Sequence, residues 1–195
     1  MTEIVPVSGP ELITYADELA ALLIEAVEGG ASVGFLVPLD RAAAAIWWRE
    51  RAAAVEAGSH QVWIARDDER LVGTIGLVRA ALPNARHRAE VAKLVVRPSA
   101  RNRGVGRALL TAVERSAAAE GLTLLVLDTE TGSDAERLYR SAGWTPCGSV
   151  PDYAADPYGT LRATTFYYRA LDPREAPAQG PFTMRGTPRH RGDIP

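Results

Sequence analysis

The chain carries a single cysteine, Cys147, in 195 residues. No internal disulfide is possible, which fits a reducing compartment. Cys147 itself falls in a strand-like run and is read as a packing residue. Histidine is nearly as scarce. His60, His87 and His190 are isolated, without the spacing of metal ligands, so no metal is expected. An excess of one charge is missing too: the formal net charge is −2. So balanced a chain has no global pull toward nucleic acid or an acidic membrane. No apolar run is long enough to cross a bilayer. The start, Met1-Thr2-Glu3-Ile4, has neither the basic nor the apolar stretch of a secretion signal. These absences predict a cytoplasmic protein with no metal, membrane or nucleic-acid partner.

What is present suits one folded domain. Apolar residues make up 47% of the chain, enough for a sizeable core. A short strand at 4–7 precedes a helix at 11–28, where Leu12, Tyr15, Leu19, Leu22, Leu23 and Ala26 recur at helical spacing. Gly29-Gly30 stops it. Asp40 can cap a second helix ending near Gly58. Strands are predicted at 61–66 and 71–79, joined by a turn, and at 88–96. A helix at 103–120 follows, then a strand at 122–127, whose apolar run predicts burial on both faces. A short helix at 134–142 and strands at 144–150 and 163–169 complete the order β-α-α-β-β-β-α-β-α-β-β. The strand–helix–strand unit from 88 to 127 is expected to be a parallel crossover. The reading is an α/β domain: a mixed, mostly antiparallel twisted sheet, a central parallel β-α-β crossover, and about four helices. It spans residues 1–171. Residues 172–195 hold five prolines and three glycines and are expected to form a disordered tail.

One segment points to chemistry: Arg101, Asn102, Arg103, Gly104, Val105, Gly106 and Arg107, between a strand and a helix. Glycine lets a ligand approach the backbone closely, and free amides at a helix start attract an anion. The arginines add positive charge, so the arrangement suits a pyrophosphate. The spacing alone is equally that of a glycine loop with solvated arginines. A nucleoside-triphosphate loop is excluded by the lack of Gly-Lys-Ser/Thr. A dinucleotide fingerprint is excluded by Leu109, which stands where a third small residue belongs.

The same segment resembles the coenzyme A loop of the GNAT acetyltransferase superfamily, Gln/Arg-x-x-Gly-x-Gly/Ala. The similarity extends through residues 88–96, 127–133 and 29–35, and covers roughly 12–171. Within the superfamily these segments are most similar to the tabtoxin resistance acetyltransferases. The resemblance implies an N-acetyltransferase that uses acetyl-CoA on the amine of a small molecule, as a monomer or homodimer. An amino-acid-like toxin or antibiotic is the implied acceptor. A polyamine, a free amino acid or a protein amine are the other acceptors of such a fold, and a non-catalytic coenzyme A sensor is the alternative.

The resemblance also implies roles for residues. Leu94, Val95 and Val96 lie on the strand expected to pair its backbone with the pantetheine arm. A backbone N–H of 93–95 is expected to meet the acetyl oxygen, and Ser133 joins the cofactor set. Tyr139, in Leu138-Tyr139-Arg140-Ser141-Ala142-Gly143-Trp144, resembles the tyrosine that serves as general acid to the coenzyme sulfur. By helical spacing alone it is a core aromatic. Asp128 and Glu90 are candidates to take the amine proton. Asp128 ends an apolar strand and Glu90 shares a strand face with Ala92, Leu94 and Val96, so burial is expected to raise either pKa. A turn cap and a salt bridge are the structural alternatives. Ser32 and Phe35 are expected to wall the acceptor pocket. Trp47, Trp48, Trp63 and Trp144 are read as core or pocket wall.

Overall fold

The computed structural model describes residues 2–68 and 70–172. Beyond Asp172 the expected tail lies outside the described residues. Seven strands, β1 (Thr2–Val7), β2 (His60–Asp67), β3 (Arg70–Arg79), β4 (Arg88–Val96), β5 (Leu124–Glu130), β6 (Thr145–Ala155) and β7 (Leu161–Ala170), form one sheet. The order is β1-β2-β3-β4-β5-β7-β6. Only β4 and β5 run parallel; every other neighbouring pair is antiparallel.

Among the described residues, five helices cover the two faces: α1 (Gly9–Glu28), α2 (Arg41–Arg49), α3 (Ala52–Glu56), α4 (Val105–Ala119) and α5 (Asp134–Ser141). Helix α1 starts at a capping box. Ser8 accepts from the Glu11 amide at 3.4 Å, and the Glu11 carboxylate accepts from the Ser8 amide at 2.8 Å. Asp40 caps α2 by accepting from the Ala43 amide at 2.9 Å. The single helix expected from 40 to 58 is broken into α2 and α3 around Glu50 and Arg51. Trp48 is buried beneath α2, and Arg51 folds back to donate to the Trp47 carbonyl.

Alternation on β2 shows how the layers divide. Val62 and Ile64 join Leu12, Leu19, Leu22 and Trp48 on one face. Trp63 and Ala65 join Leu109, Leu110, Val113 and Tyr139 on the other. Helices α1 and α2 therefore pack on one side, α4 and α5 on the opposite side.

Two burial expectations are corrected. Strand β5 is not sealed on both faces: Leu125 and Leu127 enter the α4 core, but Leu124 and Val126 are half-buried and Asp128 is exposed. Beyond β4 the α1 side leaves the sheet uncovered. Cys147 is exposed on the edge strand β6 and does not pack. Among the described residues, no helix is long and apolar enough to cross a membrane.

Candidate active site

The centre of the site is an irregularity in β4. Opposite β3, Val95 faces Thr74 and Ala92 faces Gly76. Lys93 and Leu94 thus stand against Ile75 alone, which is a β-bulge, and Lys93 takes φ 55°. The bulge reverses the alternation. Before it Ala89 and Val91 face α4. After it Leu94 and Val96 do, and Val95 turns to α1.

Next to the bulge the sheet opens. Strands β4 and β5 pair only from Arg88–Leu124 to Glu90–Val126. Past that point the β4 backbone has no β5 partner, and a cleft runs between the strands toward the start of α4. It continues as a groove of about 1050 Å³ lined by Leu94, Val95, Val96, Ser32, Ser133 and every residue of the 101–107 loop except Arg103.

That loop carries no acid in the first turn of α4, and Gly104 sits at the helix start with φ 83°. Asn102 also has positive φ, at 60°. The first backbone bond of α4 is from the Ala108 amide to the Gly104 carbonyl, at 3.0 Å. Among the described residues, the amides from Asn102 to Arg107 have no protein acceptor. A Cβ on Gly104 would meet nothing within 4 Å, so the approach is clear. Successive free amides at a helix N-terminus form an anion cradle. These residues fit the diphosphate of coenzyme A.

The arginines are less uniform than their spacing suggests. Arg103 pairs with Asp67 at 2.8 Å, across the β2–β3 hairpin. Arg107 donates to the Ser141 hydroxyl at 2.7 Å, and Arg101 to the Val96 carbonyl at 3.2 Å. Ser133 lines the groove, but its hydroxyl is engaged as the α5 cap, accepting from the Glu136 amide at 3.1 Å.

Tyr139 is only 5% exposed, between the rings of Trp144 and Tyr167. Burial, with the nearby Asp128 charge, raises its pKa well above the usual tyrosine range. It therefore holds its proton at neutral pH. Among the described residues, only Trp48 Nε1 and Gln61 Oε1 are sealed side-chain polar atoms without a partner. The Tyr139 hydroxyl has no protein partner either, so it keeps an opening.

The carboxylates depart from expectation. Glu90 and Asp128 are both exposed, so the burial argued for them is absent. Register puts them together: Glu90 is level with Val126, and Asp128 lies two residues on, on the same face. Both act electrostatically on Lys93. Phe35 packs edge-on against Trp47 at 5.4 Å and contacts the α1–α2 core.

Residues 16–144 match the model of the acetyltransferase (GNAT) family. The chain belongs to the GNAT acetyltransferase family. It is an acetyl-CoA-dependent acetyltransferase of that family. Solved GNAT-like structures share the fold at low identity. A ribosomal-protein-alanine N-acetyltransferase from Brucella melitensis is 23% identical over 87% of this chain and 99% of its own, with TM-score 0.70. The yncA protein of Salmonella typhimurium, solved with acetyl-CoA as its cofactor, is 20% identical over 91% and 98%, TM-score 0.71. A phosphinothricin acetyltransferase from Sinorhizobium meliloti, solved with acetyl-CoA, is 19% identical over 93% and 93%, TM-score 0.72.

Sequence reasoning missed the side-chain group gathered beside the β4 bulge. Arg51 stacks on Trp47, its guanidinium carbon 3.3 Å from the ring centroid. Lys93 Nζ lies 5.6 Å from the same ring. The one signal was a lysine at an inward position between Val91 and Val95, where alternation demands an apolar residue. Among the described residues, no group of three or more His, Cys, Asp or Glu is arranged to hold a metal.

Proposed function

We propose that the protein acetylates the primary amine of a small molecule by direct transfer, with Tyr139 as general acid. The Tyr139 hydroxyl carries this reading: it is protonated, unpaired within the protein, and near enough to Asp128 to feel its charge. Acetyl-CoA supplies an acetyl thioester. The free amides of 102–107 hold its diphosphate, and the unpaired β4 edge at 94–96 offers hydrogen bonds to its arm. An N–H at the bulge, within 93–95, donates to the carbonyl oxygen as charge builds there. Asp128 or Glu90 takes the proton from the attacking amine, directly or through one water, and their exposure gives that water access. Tyr139 passes its proton to the departing sulfur. The burial that holds the proton on Tyr139 also raises the proton affinity of a thiolate formed beside it, so donor and acceptor shift together.

A closed acceptor side favours a small molecule over a peptide. The α1–α2 loop is tied to the β6–β7 loop by Val37 N–H to the Pro157 carbonyl at 2.9 Å. Tyr158 Oη donates to the Glu28 carbonyl at 2.8 Å, across the same gap. The sequence likeness to tabtoxin resistance acetyltransferases, and the phosphinothricin acetyltransferase among the structural neighbours, support an amino-acid-like toxin or antibiotic.

The test is free-thiol release from acetyl-CoA across an amine panel. Tyr139→Phe should lower kcat by about a hundredfold or more with acetyl-CoA affinity unchanged. An unaltered kcat removes the general-acid role. Clear acetyl-CoA binding with no amine-stimulated thiol release would instead favour a coenzyme A sensor.

A further inference from the structure

Lys93 is a half-buried ammonium. Its Nζ is held under the α1–α2 loop, 3.7 Å from where a Cβ on Gly34 would stand, and near Trp47. Among the described residues it has no ion pair within 4 Å and no hydrogen-bond partner. A cation withdrawn from water without an anion is costly. Burial and the neighbouring Arg51 charge both lower its pKa, while Glu90 and Asp128 raise it. The bulge is what puts it there, because regular alternation would have driven the side chain into the α4 core with Ala89 and Val91.

We infer that Lys93 is a specificity-determining residue that receives the carboxylate of the acceptor, so that the substrates are amines bearing a free carboxylate. The inference rests on the acetyl-transfer reading above. Lys93 supplies the ammonium, and Arg51, stacked on the same indole, adds a second positive charge. Glu90 and Asp128, on the same face, receive the ammonium end of the same molecule. The charges thus match a zwitterion, and the two cations repel a polyamine.

The experiment compares L-amino acids with their carboxamides, and with spermidine, in the thiol-release assay. It uses the full chain and its Lys93→Met and Lys93→Arg variants, with acetyl-CoA affinity measured by calorimetry. Free acids should exceed their amides in kcat/KM by roughly tenfold to a hundredfold, the span expected of a hydrogen bond to a charged group. Lys93→Met should erase that preference by raising KM for the acids far more than for the amides, and Lys93→Arg should restore part of it. Equal use of acids and amides by the wild type overturns the assignment, as does a loss in Lys93→Met that falls equally on both. Preferred spermidine also overturns it, as does bound acetyl-CoA with no acid accepted. Failure of acetyl-CoA to bind the wild type sinks the acetyl-transfer reading itself, a separate result. Should Lys93→Met not fold, the acid–amide ratio of the wild type still decides.

Discussion

Glu136 and Glu114 are two shielded carboxylates on the α4–α5 side, and neutralising each should have unequal consequences. Glu136 is 5% exposed. It accepts from the Gly132 amide at 2.6 Å, the Tyr167 hydroxyl at 2.7 Å and Arg140 at 3.1 Å. Burial pushes its pKa up, but these three donors outweigh burial and bring it from 4.5 down to about 2. At about 1.4 kcal/mol per tenfold change, that difference corresponds to about 3 kcal/mol of stability. The folded-state pKa is the lower one. The contribution is therefore complete above pH ~4.5 and is lost as pH falls toward ~2. Glu136→Gln keeps the shape and removes the charge. It should cost about 3 kcal/mol at pH 7, a fall in Tm of about 6 to 12 °C, and flatten stability between pH 4.5 and 2.5. Glu114 is the control. Burial raises its pKa, against the lowering pull of the Trp144 indole N–H at 2.7 Å and of Arg169. Its stabilising term belongs to low pH and is lost as pH rises. Glu114→Gln keeps an acceptor for Trp144 and should stay within about 1 kcal/mol of wild type at pH 7. Urea unfolding of all three proteins from pH 7 to 2.5 measures both effects. A Glu136→Gln cost below about 1 kcal/mol, or a curve parallel to wild type below pH 4.5, refutes the reasoning.

Two glycines give further tests. Gly104→Ala puts a side chain on a residue at φ 83°, a strain of about 1 to 2 kcal/mol. It should tilt the loop amides and weaken acetyl-CoA binding by calorimetry, and an unchanged Kd would count against the cradle. Gly73→Ala places a Cβ 3.0 Å from the Val95 carbonyl oxygen and 3.1 Å from Leu109 Cδ1, so the β4 backbone and Leu109 must each give by a few tenths of an ångström. A loss of about 1 to 3 kcal/mol in urea unfolding is expected, and a stable variant would show that α4 has slack.

Periodicity carried most of the fold. The helical spacing of Leu12, Leu19, Leu22 and Ala26 places α1, and the apolar run before Asp128 places β5. Both elements depend on neighbours in sequence, so both are legible in it. The anion loop was legible for the same reason: Gly104 and Gly106 fall between a strand and a helix. What escaped depends on partners far apart in the chain. Nothing near Asp128 says that α1 and α2 stop short of β5 and leave it exposed. Nothing near Trp47 says that its indole will meet a lysine on β4, more than forty positions away. The edge position of β6, which exposes Cys147, is likewise set by β7 pairing on its other side with β5.

The two halves of the site trace back to one inserted residue. Without the bulge, β4 would keep strict alternation and Lys93 would follow Ala89 and Val91 into the α4 core, where an unpaired ammonium is not tolerated. With it, the strand turns over. Leu94 and Val96 swing to line the groove, and Lys93 emerges under Gly34 on the acceptor side. The same irregularity comes just past Glu90, the last β4 residue paired with β5. Backbone groups at 94–96 are left for a ligand that must lie between the strands. Cofactor cleft and acceptor charge are thus coupled through backbone geometry. Side-chain replacement at 93 that keeps the bulge separates the two, because the cleft depends on the backbone and the acceptor contact on the ammonium.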